Sequence, residues 1–120
     1  MEKVRTIIFY KNHFHNFFEL QTKKVKDKID YVLYVITVTE RVPKKFMEHM
    51  TGTEGLYEIR IEFQSNIFRV FCCFEEEKVV VLFNGFHKKT QKTPPSEIDK
   101  ALKIKSEYFS EKLNHKNENK

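Results

Sequence analysis

Residues Leu56 to Pro95 read LYEIRIEF, QSN, IFRVFCCF, EEE, KVVVLFNGF and HKKTQKTPP: β-rich runs divided by short polar breaks, with a basic segment at the end. Val, Ile, Phe and Tyr suit a pleated, half-buried surface, so this spacing predicts an antiparallel meander. The residues before it are expected to pack one face of that sheet, and those after it to form a closing helix. The fold class is therefore α+β, with an N-terminal strand and a helical hairpin packed on an antiparallel sheet and a C-terminal helix closing it.

Alternate side chains of a strand point to opposite faces. Tyr57, Ile59, Ile61 and Phe63 then share one side, and Glu58, Arg60 and Glu62 the other. In the next run Phe68, Val70, Cys72 and Phe74 lie opposite Ile67, Arg69, Phe71 and Cys73. If the two more apolar sets form a core face, Arg60 and Arg69 emerge together on the other. A four-residue connection from Gln64 to Ile67 sets Phe63 against Phe68, which puts Glu62 across from Arg69 and Arg60 across from Phe71. The third run delivers His87, Lys88, Lys89, Gln91 and Lys92 at its far end. Two arginines beside a lysine-rich segment outline an anion site. The competing reading is an ordinary solvated face, with Arg69 paired to Glu62 and Arg60 to Glu58 or another acid, each pair worth about 0.2–1 kcal/mol.

A chain of 120 residues fits one domain and buries a real core without staples. The expected domain spans residues 1–109, and the polar residues 110–120, with little to bury, are expected to fray. Twelve Phe and five Tyr with only three Gly describe an aromatic-rich domain rather than a low-complexity array. The net charge of +5 favours polyanionic partners, a weak signal by itself. MEKVRTIIFY holds too short an apolar run for a signal peptide or a membrane span, so no membrane association and a cytoplasmic location are expected. Cys72 and Cys73 are the only cysteines, and as strand neighbours they face opposite ways, a poor chelate, so no metal is expected. They read as one buried residue and one outward or semi-buried neighbour.

Val4 to Tyr10 reads as a first strand, and Phe14, Phe17 and Phe18 as the stripe of a short helix with Asn12 as its N-cap. Residues 25–41 are ambiguous. Ile29, Val32, Leu33 and Ile36 fit a helical face, whereas YVLYVITVT is rich in β-branched residues; the charged residues upstream favour the helix. Val42-Pro43 ends it. In the connector at 44–55, Phe46, Met47 and Met50 are expected to dock as one turn of helix, and His49 is a tempting general base in a place where histidines are usually solvated. Thr93 or Ser96 caps a last helix whose buried stripe is Ile98, Ala101, Leu102 and Phe109.

GLYEIR, the FR dipeptide of the next run, and above all VVVLFNGFHKKTQKTPPSEI resemble the phage-derived HigB-like branch of the RelE/ParE toxin superfamily. The resemblance runs from about Val4 to Phe109 and is most specific from Leu82 to Pro94. It agrees with the helical reading of residues 25–41. It implies a type II toxin, an mRNA endonuclease acting in the ribosomal A site, with mRNA on the ribosome and a helix-turn-helix antitoxin as partners and no cofactor. ParE-like members of the same architecture instead inhibit DNA gyrase by binding, and generally lack the basic sheet residues. A divergent module that only binds RNA is a third reading.

Metal-free RNA cleavage needs the 2′-hydroxyl proton removed, the charge on the phosphorane-like transition state stabilised, and the departing 5′-oxygen protonated. Fixed cations supply much of that. The resemblance assigns Arg60, Arg69 and Lys89 to the scissile phosphate, with Lys88, Gln91 and Lys92 as further RNA contacts. Some relatives place a catalytic tyrosine shortly after the last basic position, which falls near Pro95 here, so the acid or base must come from elsewhere. His87 is the first candidate, a solvated loop residue being the alternative, and Lys88 or Lys92 follow. Arg69→Ala is expected to abolish activity without unfolding the protein.

Overall fold

The structure, a computed structural model, describes residues 2–118, with side chains described for residues 2–116. In chain order the elements are β1 (Thr6–Phe9), α1 (His13–Glu19), α2 (Lys23–Val38), β2 (Met47–His49), β3 (Tyr57–Phe63), β4 (Asn66–Glu75), β5 (Val79–Lys88) and α3 (Pro95–Glu118). The strands form one sheet in the order β1-β5-β4-β3-β2. The antiparallel meander β3-β4-β5 is at its centre, as the alternation requires. The sheet as a whole is mixed, because β1 lies parallel to β5, from Thr6 beside Val79 to Phe9 beside Leu82.

Both faces of this sheet are covered. On one, Phe14 and Phe17 of α1 and Val25, Ile29, Val32 and Ile36 of α2 pack onto Ile59, Ile61, Phe68, Val70, Cys72, Val80 and Leu82. The β-branched run of α2 is helical because its four buried residues recur at helical spacing and bury one continuous stripe. Thr22 caps it, its hydroxyl accepting from the Val25 amide at 3.3 Å. At the other end the Arg5 guanidinium donates to the carbonyls of Ile36 at 3.1 Å and Glu40 at 2.7 Å, a cation on the negative pole of the helix. Asn12 precedes α1 but its side chain makes no capping bond.

On the opposite face Ala101, Ile104 and Tyr108 of α3 pack onto Phe71, Cys73, Val81 and Phe83. Cys72 and Cys73 therefore do point to opposite faces, but both are buried, since α3 covers Cys73 as well. α3 opens on Pro95, where a missing N–H costs nothing, with the Pro94 carbonyl accepting from Glu97 and Ile98; Ser96 lies inside its first turn. The buried stripe is completed by Ile104 and Tyr108, while Phe109 is 38% exposed. The helix runs on to Glu118, with Lys112 and the Tyr108 hydroxyl both meeting Glu75, and the end of the expected frayed tail, residues 119–120, lies outside the described residues.

The connector also differs from its expected helical turn. Met47, Glu48 and His49 form β2, antiparallel to β3, because buried Met47 pairs with Ile59 at strand period. Among the described residues no helix is long and apolar enough to cross a membrane.

Candidate functional site

The β3–β4 hairpin turns on only two residues, Gln64 and Ser65, with Gln64 in the left-handed region at φ 55°. Phe63 consequently pairs with Asn66, Glu62 with Ile67, and Arg60 directly with Arg69. This corrects the expected pairings of Glu62 with Arg69 and Arg60 with Phe71. The register moves by two residues, so the face of every side chain is unchanged and both arginines stay on one side.

Two guanidinium groups side by side need a counter-charge, and Glu58 supplies it. Its carboxylate accepts from Arg60 Nε at 3.0 Å and lies 2.8 Å from Arg60 Nη2, while its other oxygen is 3.6 Å from Arg69 Nε. Glu48, the cross-strand neighbour of Glu58 on β2, takes Arg60 Nη2 at 2.7 Å. Arg69 is 6% and Glu58 5% exposed, whereas the Arg60 side chain keeps 30% of its surface open. Burial arises because β4 is central: Arg69 has Arg60 on one side and Phe86 of β5 on the other. Burial lowers the Arg69 pKa from its ordinary value, Glu58 opposes the shift and Arg60 adds to it. The 3.6 Å separation is too long for a hydrogen bond, which leaves Arg69 Nε and Glu58 Oε2 without hydrogen-bond partners. The solvated-face reading thus holds for Arg60, which pairs with Glu58 and Glu48, but not for Arg69, whose acid is Glu58 rather than Glu62, nor for the burial of Glu58 and Arg69.

β5 changes face part-way along. Between the pairs Val70–Gly85 and Cys72–Leu82, β4 has one residue and β5 has two, Phe83 and Asn84. This bulge flips every later side chain. Asn84, 3% exposed, turns toward α3 and donates to the Glu97 carboxylate at 3.2 Å. Gly85 admits the Phe17 ring so closely that a Cβ there would lie 2.6 Å from Phe17 Cδ2. Phe86 then joins the arginine face, and Lys88 follows it there, opposite Ile67.

His87 is displaced by the same flip. It stacks on Phe68 with ring centroids 4.6 Å apart, on the α2 side of the sheet, and lines a separate cleft with Lys23 and Lys24. It lies on the opposite side of the sheet from Arg60 and Arg69 and does not converge with them. His49 is also on the α2 side, its Nε2 3.0 Å from the Thr53 carbonyl oxygen and its ring beside Tyr57. Lys89, Gln91 and Lys92 are exposed in the segment between β5 and α3, where the Thr90 hydroxyl donates to the Lys92 carbonyl at 2.7 Å.

At the free edge of β3, where β2 has ended, a cleft of about 390 Å³ opens beside the arginines. Arg60, Arg69 and Glu62 line one wall, and Lys28, Tyr31, Lys45 and Phe46 the other. Sequence reasoning missed Glu48 and Tyr31 here: Glu48 meets Arg60 because β2 is a strand beside β3, and Tyr31 lies off the buried stripe of α2, where it meets Phe46. Glu58 had a visible signal, since it sits two residues from Arg60 on the same strand face.

A search of curated proteins finds no match. Among solved structures the chain is similar to a chain of the archaeal RelE–RelB complex from Pyrococcus horikoshii OT3, with a TM-score of 0.51 at 17% identity over 72% of this chain and 97% of that one. At that identity the likeness shows a shared fold, the α+β architecture of RelE. The family described as phage derived protein Gp49-like (DUF891) matches residues 16–106, and with most of its length inside that match the chain belongs to the Gp49-like family.

Proposed function

We propose that this protein is the toxin of a type II toxin–antitoxin pair, of the HigB-like type, and that it cleaves mRNA on the ribosome. The observation that carries the reading is the direct pairing of Arg60 with Arg69 on one sheet face, next to an open cleft. Arg60 keeps exposed surface toward that cleft, and a planar guanidinium grips two phosphate oxygens at once. Arg69, buried behind it, adds a fixed positive field where charge develops on the phosphorus. Lys88 on the same face and Lys89 just beyond it extend the cationic track, with Gln91 and Lys92 as further RNA contacts. With His87 and His49 turned away, the 2′-hydroxyl loses its proton to solvent as its oxygen attacks phosphorus, and the departing 5′-oxygen takes a proton from an ammonium group, for which Lys88 is the nearest in register. The RelE-like fold supports the same reading, and the RelB present in that solved complex supports an antitoxin as partner.

A second reading is favoured by one specific observation. Glu58 and Glu48 already occupy much of the hydrogen-bonding capacity of Arg60, which suits a toxin that acts by binding, such as a gyrase inhibitor, and has no phosphate to hold. Primer extension on mRNA in a purified translation system separates the two. New 5′ ends that appear only with ribosomes support cleavage. Intact mRNA together with blocked DNA supercoiling supports the binding toxin.

A further inference from the structure

We propose that the cleft at the free edge of β3 is a nucleobase subsite: a base of single-stranded RNA stacks on Tyr31, and the adjoining phosphate lies on Arg60. This deepens the RNA-cleavage reading and rests on it. Tyr31 stands on the outer part of α2 with 53% of its surface exposed, and its ring meets Phe46 edge-on with centroids 6.3 Å apart. Phe46 is fixed in turn, because its carbonyl accepts from the Arg60 amide at 2.7 Å. The aromatic pair is thereby held beside the arginine by the backbone.

A cation lies over each ring. Lys28 Nζ sits 5.3 Å from the Tyr31 centroid and Lys45 Nζ 4.9 Å from that of Phe46. The lining carries Lys28, Lys45, Arg60 and Arg69 with Glu62, and since Glu58 and Glu48 already engage the arginines, the two lysines supply the excess positive charge. Its volume of about 390 Å³ lies within the range of small-ligand sites, about 300–1000 Å³. A purely electrostatic anion site has no need of aromatic faces, and a protein-docking patch of this size has little need of four cations. An exposed tyrosine backed by a part-buried phenylalanine and interleaved with cations suits a chain that alternates phosphate with a flat π-surface.

The test is fluorescence anisotropy at low salt with a short labelled single-stranded RNA and a ribose-phosphate oligomer of equal length without bases. The wild-type protein is expected to prefer the base-bearing RNA. Tyr31→Ala is expected to weaken that RNA by about 5- to 150-fold while leaving the abasic oligomer unchanged, the range that stacking of one base supplies. Tyr31→Phe should retain the preference, and Lys45→Gln should weaken both oligomers alike. Because Tyr31 is half exposed, an unchanged thermal melt identifies Tyr31→Ala as folded. Equal loss on both oligomers, no loss in Tyr31→Ala, or competition by poly-glutamate as strong as by RNA overturns the subsite. Failure of the cleavage reading has a different signature, intact mRNA on programmed ribosomes.

Discussion

Arg60 and Arg69 are direct cross-strand partners, and the carboxylate of Glu58 lies between their guanidinium groups. Like charges directly opposite each other destabilise a sheet, so the pair persists only because a buried acid neutralises it. Glu58→Ala leaves Arg69 charged and unpaired in a buried setting, and is expected to cost about 3–5 kcal/mol in urea unfolding. Arg69→Ala leaves Glu58 still bonded to Arg60 and is expected to cost less, about 1–3 kcal/mol. Arg69→Ala is thus still expected to fold, as its sequence suggests, but at a stability cost, so its activity loss must be measured per folded molecule. A greater cost for Arg69→Ala than for Glu58→Ala would remove Glu58 from its bridging position.

The β5 bulge puts Lys88 and His87 on opposite faces, which makes their substitutions unequal. Lys88→Ala is expected to lower single-turnover mRNA cleavage at least about 100-fold, the lower end for a lost proton donor or fixed charge. His87→Ala is expected to leave the rate within about twofold and to lose only a stacking contact with Phe68, about 0.5–1.5 kcal/mol. The opposite ordering of rates would mean that the two residues exchange faces in the active complex.

At Gly85 the Phe17 ring of α1 comes close against the sheet. An added methyl would lie 2.6 Å from Phe17 Cδ2 and 2.7 Å from Cγ, and the ring, 6% exposed, has little room to retreat. Gly85→Ala is expected to destabilise by about 1–3 kcal/mol through overpacking. Phe17→Ala alone costs about 3–5 kcal/mol, and in the double variant the two costs should fall short of their sum, since the smaller side chain frees the space the methyl needs. Strict additivity in denaturant melts would show that the ring is not what confines Gly85.

The central meander and the shared side of Arg60 and Arg69 were legible because period-2 alternation fixes faces regardless of exact register. The register itself was not legible. Gln64-Ser65 carries neither the Asn-Gly nor the Asp-Gly signature of a two-residue turn, so the hairpin read as longer than it is. The face of His87 was hidden for a related reason: a bulge is one extra residue, and in KVVVLFNGF only the glycine hints at it. β2 escaped because three residues are too few for periodicity to speak, and Glu48 escaped with it. Phe109 was misplaced in the core of α3 because Ile104 and Tyr108 present an equally helical stripe that the sheet prefers.

The pH dependence of stability should first report on His13, at the start of α1. Burial lowers its pKa below the ordinary 6.5, with Lys100 and Lys11 adding to the shift and Glu107 opposing it. Its Nε2 is buried without a hydrogen-bond partner, and the Tyr10 ring packs nearby at 6.2 Å. The unfolded chain therefore binds this proton more readily than the folded one, so stability falls as pH drops from about 6.5 toward the folded value. Glu107 acts in a lower window. Its bond to Lys11 holds its carboxyl below the usual 4.5, and the stability it contributes is present above that value and lost as pH falls further. Thermal melts across this range should show the first decline in the wild-type protein but not in His13→Gln, while both lose stability below about 4.5. A decline above pH 5 that is undiminished in His13→Gln would assign the first titration to a different group.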